Sequence, residues 1–506
     1  MNQDSLLSLY LNKTEKDKLN HAAVSFYAGV DVVYNAYPNL AKSILREFRD
    51  QSSNLKLIAS ENYSSLAVQL AQGNLLTDKY AEGYPKYRFY AGCENIDDIE
   101  TEASARACEL FGAEHAYIQP HSGSDANLIA FIAVLSAKIQ QPLMDEFKTT
   151  SALASKEEWL KAKKEFFSQK LFALDYYSGG HLTHGYRQNL SGLLFDVYNY
   201  SVNKDSLLID MDELREQIHK IKPLIFLAGY SSYPRKLNFA KMRELADEVG
   251  AVFMVDMSHF AGLVAGGVFT GEYNPIPYAH IVTTTTHKTL RGPRGGLILC
   301  NKEFAPWVDK GCPSVIGGPL PHVMAAKAIA LKEAQSPDFK DYAHKIVENS
   351  RALSDALINE GIEVITGGTD NHLLLADVST TFGLTGRQAE SALRDCGITL
   401  NRNVLPFDKN GPWYTSGIRI GTPAVTTLGM GISEMKEIAG IIKLVLENTS
   451  PAVIQTGEKK GEKSKAKYIT DEKAKARAKA LVAAILKGFV LYPELCIDII
   501  PKSYFE

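Results

Sequence analysis

Val255-Asp256-Met257-Ser258-His259 and Thr283-Thr284-Thr285-Thr286-His287-Lys288-Thr289-Leu290-Arg291-Gly292-Pro293-Arg294-Gly295-Gly296 decide how this chain is read. Each follows or includes an apolar, β-branched run that ends abruptly in polar residues. A buried strand of a parallel sheet delivers a functional side chain to its carboxyl edge in this way. An acid at one strand end and a lysine at a neighbouring one suit pyridoxal phosphate. The lysine amine forms a Schiff base with the aldehyde, and the acid pairs with the ring nitrogen and keeps it protonated as an electron sink. That opposite charge would keep Asp256 ionised. A single lysine in a loop is ordinarily a solvated surface residue. The acid-bearing strand before Lys288 and the glycine-rich turn after it set this one apart.

Moving outward, Pro223 to Gly229 reads as a buried strand, Phe239 to Val249 as a helix stopped by Gly250, and Ala251 to Val255 as the next strand. This is a βαβ unit with a right-handed crossover in a mainly parallel sheet. Upstream, residues 98–112 form an amphipathic helix ending at Gly112. A short strand, Ala116-Tyr117-Ile118, then leads into Gln119-Pro120-His121-Ser122-Gly123-Ser124. Small residues opening a helix offer unpaired backbone N–H groups and the positive end of the helix dipole, so Ser122, Gly123 and Ser124 are the candidate phosphate cradle.

Composition narrows the class. At 506 residues the chain can bury a large core and divide into domains. Its 45% hydrophobic and 22% charged residues are ordinary for a globular protein, and a net charge of −3 argues for neither nucleic acid nor membrane partners. Six cysteines without a C-x-x-C pair point to a reducing compartment, with no metal or disulfide framework. The N-terminus lacks a secretory pattern, and the apolar stretch Ala480 to Leu491 is too short to span a bilayer, so a cytoplasmic location is expected.

With these two stretches the chain resembles the serine hydroxymethyltransferase family. The likeness extends to Ala59-Ser60-Glu61-Asn62-Tyr63, Lys79-Tyr80-Ala81-Glu82-Gly83-Tyr84-Pro85 and Thr415-Ser416-Gly417-Ile418-Arg419-Ile420-Gly421-Thr422-Pro423. It implies a fold-type I pyridoxal phosphate transferase of the α/β class. The large domain would hold a mainly parallel seven-stranded sheet flanked by helices, with a small α+β C-terminal domain. The implied reaction interconverts serine and tetrahydrofolate with glycine and 5,10-methylenetetrahydrofolate.

The resemblance also implies residue roles. Lys288 would carry the cofactor covalently, Asp256 would meet its ring nitrogen, His259 its ring hydroxyl, and His181 would stack on the pyridine ring. Ser231 would lie near the cofactor and Arg294 near the substrate. Arg419 would hold the amino acid carboxylate in a bidentate fork that lysine could not reproduce. Glu82 would be the acid/base that touches the folate, and Tyr90 would sit beside the bound substrate. Asn403 would contact the folate. Tyr80 would reach across a dimer, Ser60 would lie near the other subunit's cofactor, and Gly317 and Gly318 would bind the neighbouring phosphate. Each active site would then need two chains, making a homodimer or tetramer. His184, three residues after His181, is left structural; no carboxylate or cysteine cluster accompanies the pair to suggest a metal.

Two positions depart from the family. Phe89 replaces a tyrosine, and Ile316 replaces a glutamine before the glycines. Both lend some weight to a folate-independent alternative, a threonine aldolase or alanine racemase activity. A non-catalytic role conflicts with an intact Lys288, Asp256, Glu82 and Arg419 set. Domain organisation is read as a helical arm over 1–50, a large domain over 51–340 and a small domain over 341–506. A surface helical insert falls at about 139–170, and a polar, low-complexity stretch at 452–470 reads as a flexible linker.

Overall fold

Short apolar runs without helical periodicity build the centre of the molecule. The computed structural model describes residues 5–505; Met1–Asp4 of the arm and Glu506 of the C-terminal segment lie outside them. Seven strands form one sheet: β1 (His115–Tyr117), β2 (Lys170–Leu174), β3 (Asp196–Tyr200), β4 (Ile225–Gly229), β5 (Val252–Asp256), β6 (Ile281–Thr285) and β7 (Gly296–Cys300). Their spatial order is β1-β7-β6-β5-β4-β2-β3. From β3 through β6 every neighbouring pair is parallel, whereas β7 runs antiparallel to both β6 and β1. Every residue of β4 to β7 is buried, because helices cover both faces of the sheet.

The helix Glu94–Phe111 stops at Gly112, whose φ of 72° is the left-handed turn that glycine adopts without a Cβ clash. Phe239–Val249 is the crossover between β4 and β5, capped by the Asn238 side chain and ended by Gly250. Side-by-side β5 and β6 bring the Asp256 and Lys288 strand ends together. Side-by-side β1 and β7 bring the chain before the candidate cradle against the turn after Lys288, where the Gly296 amide donates to the Pro120 carbonyl at 2.9 Å.

A second, antiparallel sheet contains β8 (Glu363–Val364), β9 (Leu373–Asp377), β10 (Asn401–Asn403) and β11 (Gly417–Gly421), in the order β8-β9-β11-β10. It packs with the helices Gly386–Asp395, Ile432–Glu447 and Glu472–Leu486 around its own apolar core. The boundary expected at 340 falls in the first turn of the helix Pro337–Asn359. That helix sends Phe339 and Ile346 into the large core and Leu353 and Leu357 into the small one.

The stretch 452–470 is not the flexible linker its composition suggests. Thr449–Val453 (β12) and Lys463–Thr470 (β13) pair as an antiparallel hairpin. Gln388 donates to the carbonyls of Ser464 and Lys467 at 2.7 and 2.9 Å, and the Tyr468 hydroxyl donates to Asp395 at 2.8 Å. Exposed and half-buried residues alternate along Lys463–Thr470, and a strand wet on one face can be as polar as a tether.

The insert is a surface helix, Lys156–Phe166, with a Ser155/Glu158 capping box and with Trp159 and Leu160 exposed. The helical run Gly123–Glu146 is long and apolar enough to cross a membrane. Its first half owes that composition to the core, where Ile129, Phe131 and Val134 are buried. Arm helices Leu6–Lys13, His21–Ala36 and Pro38–Ser53 pack with Leu491, Leu495 and Ile500 from the C-terminal segment.

Candidate active site

At the carboxyl edge of β4 to β6 lies a cavity of about 460 Å³, lined by Asp256, His259, Lys288 and Arg294. Ser122, Gly123, Ser124, Ser60, His181, Ser231 and Arg419 also line it. Eleven expected site residues thus meet in one chain. Ser60 is among them, which corrects its expected assignment to another subunit's cofactor: the loop after Leu57 packs along β11, with the Gly421 amide donating to the Leu57 carbonyl at 2.8 Å.

Asp256 ends β5, and its carboxylate is held on three sides. The Ser258 amide donates to Oδ1 at 3.0 Å, while Asn127 Nδ2 and His184 Nε2 lie 2.9 and 3.1 Å from Oδ2. Burial alone would raise this carboxyl. The hydrogen bond and charge of His184, with His181 and Lys288 beyond, instead hold it well below the usual carboxylate range. His184 is therefore part of the site rather than merely structural. Its signal was the i, i+3 spacing to His181. Asn127 had a clearer signal, being an amide set directly against the apolar run Leu128–Leu135. Thr283 Oγ1 donates to the Asn127 Oδ1 at 2.6 Å, which leaves Nδ2 for Asp256.

Lys288 follows β6 in a loop closed by hydrogen bonds from the Thr286 amide to the Gly295 carbonyl and from the Gly292 amide to the Thr286 carbonyl, at 3.1 and 2.7 Å. Its pKa is lowered to about 8, chiefly by burial; Asp256 opposes the shift, and Arg419 and Arg294 add to it. Burial likewise lowers His181 to about 4, which leaves a neutral aromatic ring on the cavity wall. His259 is buried and lies 3.1 Å from His372 Nε2, with the two rings stacked at 5.3 Å. His372 was not anticipated; a histidine opening a strand of a different domain gives no local cue.

Arg419, in β11, reaches the large domain. It donates to Asn401 Oδ1 at 3.0 Å and to the Ser231 carbonyl at 2.6 Å, and burial lowers its pKa to about 10. No carboxylate pairs with it among the described residues, so a charged fork faces the cavity ready for one. Asn403 lines an adjoining cavity of about 390 Å³ that shares Arg419, His181 and Ser231 with the first.

The remaining expected residues lie elsewhere. Tyr80, Glu82, Tyr90, Gly317 and Gly318 do not line the cavity. They cluster on the surface: Tyr80 and Tyr90 rings stand edge to face at 5.3 Å, the Tyr90 hydroxyl is 3.5 Å from Glu82, and a Cβ on Gly318 would meet the Tyr80 ring at 3.4 Å. Tyr80, Phe89 and Tyr90 are each more than half exposed. Ile316 is buried in the apolar core, so the polar side chain expected there is replaced by packing.

The cavity fits pyridoxal phosphate. Ser122 caps its helix by accepting from the Asp125 amide at 3.1 Å, leaving the amides of Gly123 and Ser124 at the cavity wall. A Cβ on Gly123 would meet Thr285 Cγ2 at 2.6 Å, so only glycine lets the backbone lie this deep. Opposite stand an ionised carboxylate and an amine of depressed pKa.

This strand order and this donor set define a fold-type I pyridoxal-phosphate-dependent transferase. Sequence comparison takes the assignment further. The family described as "Serine hydroxymethyltransferase" matches residues 33–145 and 165–442, a gap that coincides with the surface insert. A Treponema pallidum protein named serine hydroxymethyltransferase is 57% identical over 97% of this chain and 85% of its own length. Proteins of the same name from Salinispora tropica and Chlamydia trachomatis are 52% and 51% identical over 94% and 98% of this chain, and over 99% of their own lengths. The chain belongs to the serine hydroxymethyltransferase family.

Proposed function

We propose that the chain moves the hydroxymethyl carbon of serine to tetrahydrofolate and back, with pyridoxal phosphate bound covalently to Lys288 and the active site completed by a second copy of the chain. When bound, the cofactor supplies the electron sink for bond breaking at the amino acid Cα. The rest falls to protein groups. Ser122, Gly123 and Ser124 take its phosphate, His181 covers one face of its ring, and Asp256 holds a proton on the ring nitrogen. His259 and Ser231 border the ring, and Ser60 and Arg294 border the substrate. Arg419 grips the substrate carboxylate in two parallel hydrogen bonds, which fixes the bond to be broken relative to the ring.

Glu82 moves the proton at the hydroxymethyl group or the folate nitrogen, with Tyr80 and Tyr90 beside it. Asn403 meets the folate in the adjoining cavity. Since Glu82, Tyr80, Tyr90, Gly317 and Gly318 cluster on an exposed face away from their own chain's cavity, they serve the cavity of the second copy.

The observation that carries this reading is the convergence of Lys288, the triply held Asp256, the helix-start cradle and the unpaired Arg419 on one cavity. The test is the absorbance of the purified protein alone, with glycine, and with glycine plus tetrahydrofolate. A cofactor band that glycine alters, and that changes again only when folate is added, supports the folate-coupled transfer. A glycine response untouched by folate refutes it, and a protein that takes up no cofactor refutes the whole reading.

A further inference from the structure

Lysine is almost never fully buried without a charged partner, yet Lys327 is 1% exposed. It lies on the inner face of the helix Pro321–Ala334, and no carboxylate comes within ion-pair distance of it among the described residues. Its ammonium instead donates to three backbone carbonyls: Ile118 at 2.5 Å, Pro120 at 2.9 Å and Gly296 at 2.8 Å. An ammonium has three donors, and each has found an acceptor.

Those acceptors come from two places that matter. Ile118 and Pro120 belong to the chain leaving β1, immediately before Ser122, Gly123 and Ser124. Gly296 opens β7, at the end of the loop that carries Lys288. The lysine therefore ties the cradle's approach to the return of the Lys288 loop, from behind the cavity. The two glycines at 295 and 296 make room for this junction. A Cβ on Gly295 would meet Lys327 Cε at 2.5 Å, and one on Gly296 would meet the Ser122 carbonyl oxygen at 2.2 Å. Burial, only partly offset by Glu100 and Asp125, leaves the Lys327 pKa lowered to about 7, so holding a cation here costs stability that an apolar side chain of the same length would not. A packing role alone gives no reason for that cost.

We propose that Lys327 is a positioning residue for the phosphate cradle, fixing the backbone of residues 118–124 and placing positive charge behind the site that receives the cofactor's phosphate. The inference rests on the pyridoxal phosphate reading above. Its test separates the phosphate from the ring. Full-length protein freed of cofactor is titrated with pyridoxal phosphate and, separately, with pyridoxal, which lacks the phosphate.

In Lys327→Met, affinity for pyridoxal phosphate should fall by about tenfold or more, the scale of a lost hydrogen bond to a charged group. Affinity for pyridoxal should stay within about twofold of the parent. Gly295→Ala keeps the charge but crowds the ammonium off its acceptors, and should give the same phosphate-selective loss, which covers the case of Lys327→Met failing to fold. Equal weakening of both ligands, or a lowered melting temperature with both affinities intact, overturns the positioning role. Failure of the parent protein itself to bind pyridoxal phosphate overturns the functional reading instead.

Discussion

The depressed pKa of Lys288 makes a quantitative prediction about how fast the protein takes up its cofactor. Condensation with an aldehyde needs the neutral amine. With a pKa of about 8, about a quarter of the Lys288 amine is neutral near pH 7.5, against about one part in a thousand for an ordinary lysine, a gain on the order of 10². The uptake rate of cofactor-free protein, followed by stopped-flow absorbance, should rise about tenfold per pH unit in acid and level off above about pH 8. Acetyl-lysine, run alongside, corrects for the cofactor's own titration. Asp256→Asn should move the midpoint down, because the carboxylate is what favours the ammonium, and Arg294→Gln should move it up. The same shift sets a sign for stability. Between pH 8 and the ordinary lysine range the unfolded chain binds a proton that the folded chain does not, so this group's contribution to stability rises with pH there. An uptake rate that keeps climbing past pH 10, or an upward shift in Asp256→Asn, would refute the reasoning.

Three further outcomes follow from the geometry. Arg419→Lys replaces a planar fork by a point charge, and should raise the serine KM by about 10²-fold with a smaller effect on kcat, measured by steady-state kinetics. Mixing the inactive variants Lys288→Ala and Glu82→Gln under subunit exchange should recover about a quarter of parental activity, because half the random dimers hold one intact site of two; no recovery would mean that both residues serve the same chain's cavity. Gln388→Ala removes two hydrogen bonds to β13 and should speed amide exchange over 463–470 by about tenfold while leaving serine turnover unchanged.

How much of this was legible in the sequence depends on what makes a residue stand out. Asp256 and Lys288 stood out because a buried strand carries no charge along its length, so the first charge at or beyond its end marks the sheet's edge. The cradle stood out because small residues between a strand and a helix leave backbone N–H groups open to an anion at the positive end of the helix. The hairpin at 449–470 did not, since an exposed strand and a solvated tether share one composition and only pairing partners distinguish them. Residues that hold the site from behind were harder still, because each acts through an element distant in sequence. His184 reaches Asp256 across 72 positions, His372 reaches His259 across 113, and Lys327 reaches Ile118 across 209. They do share a mark. Asn127 immediately precedes Leu128-Ile129-Ala130-Phe131, Lys327 sits among Ala, Ile and Leu, and His372 immediately precedes Leu373-Leu374-Leu375. A polar group in such a run is stable only if a specific partner offsets its desolvation, by roughly 1–3 kcal/mol for each hydrogen bond left unmade. The anomaly therefore announces that a partner exists, while only the fold says which one.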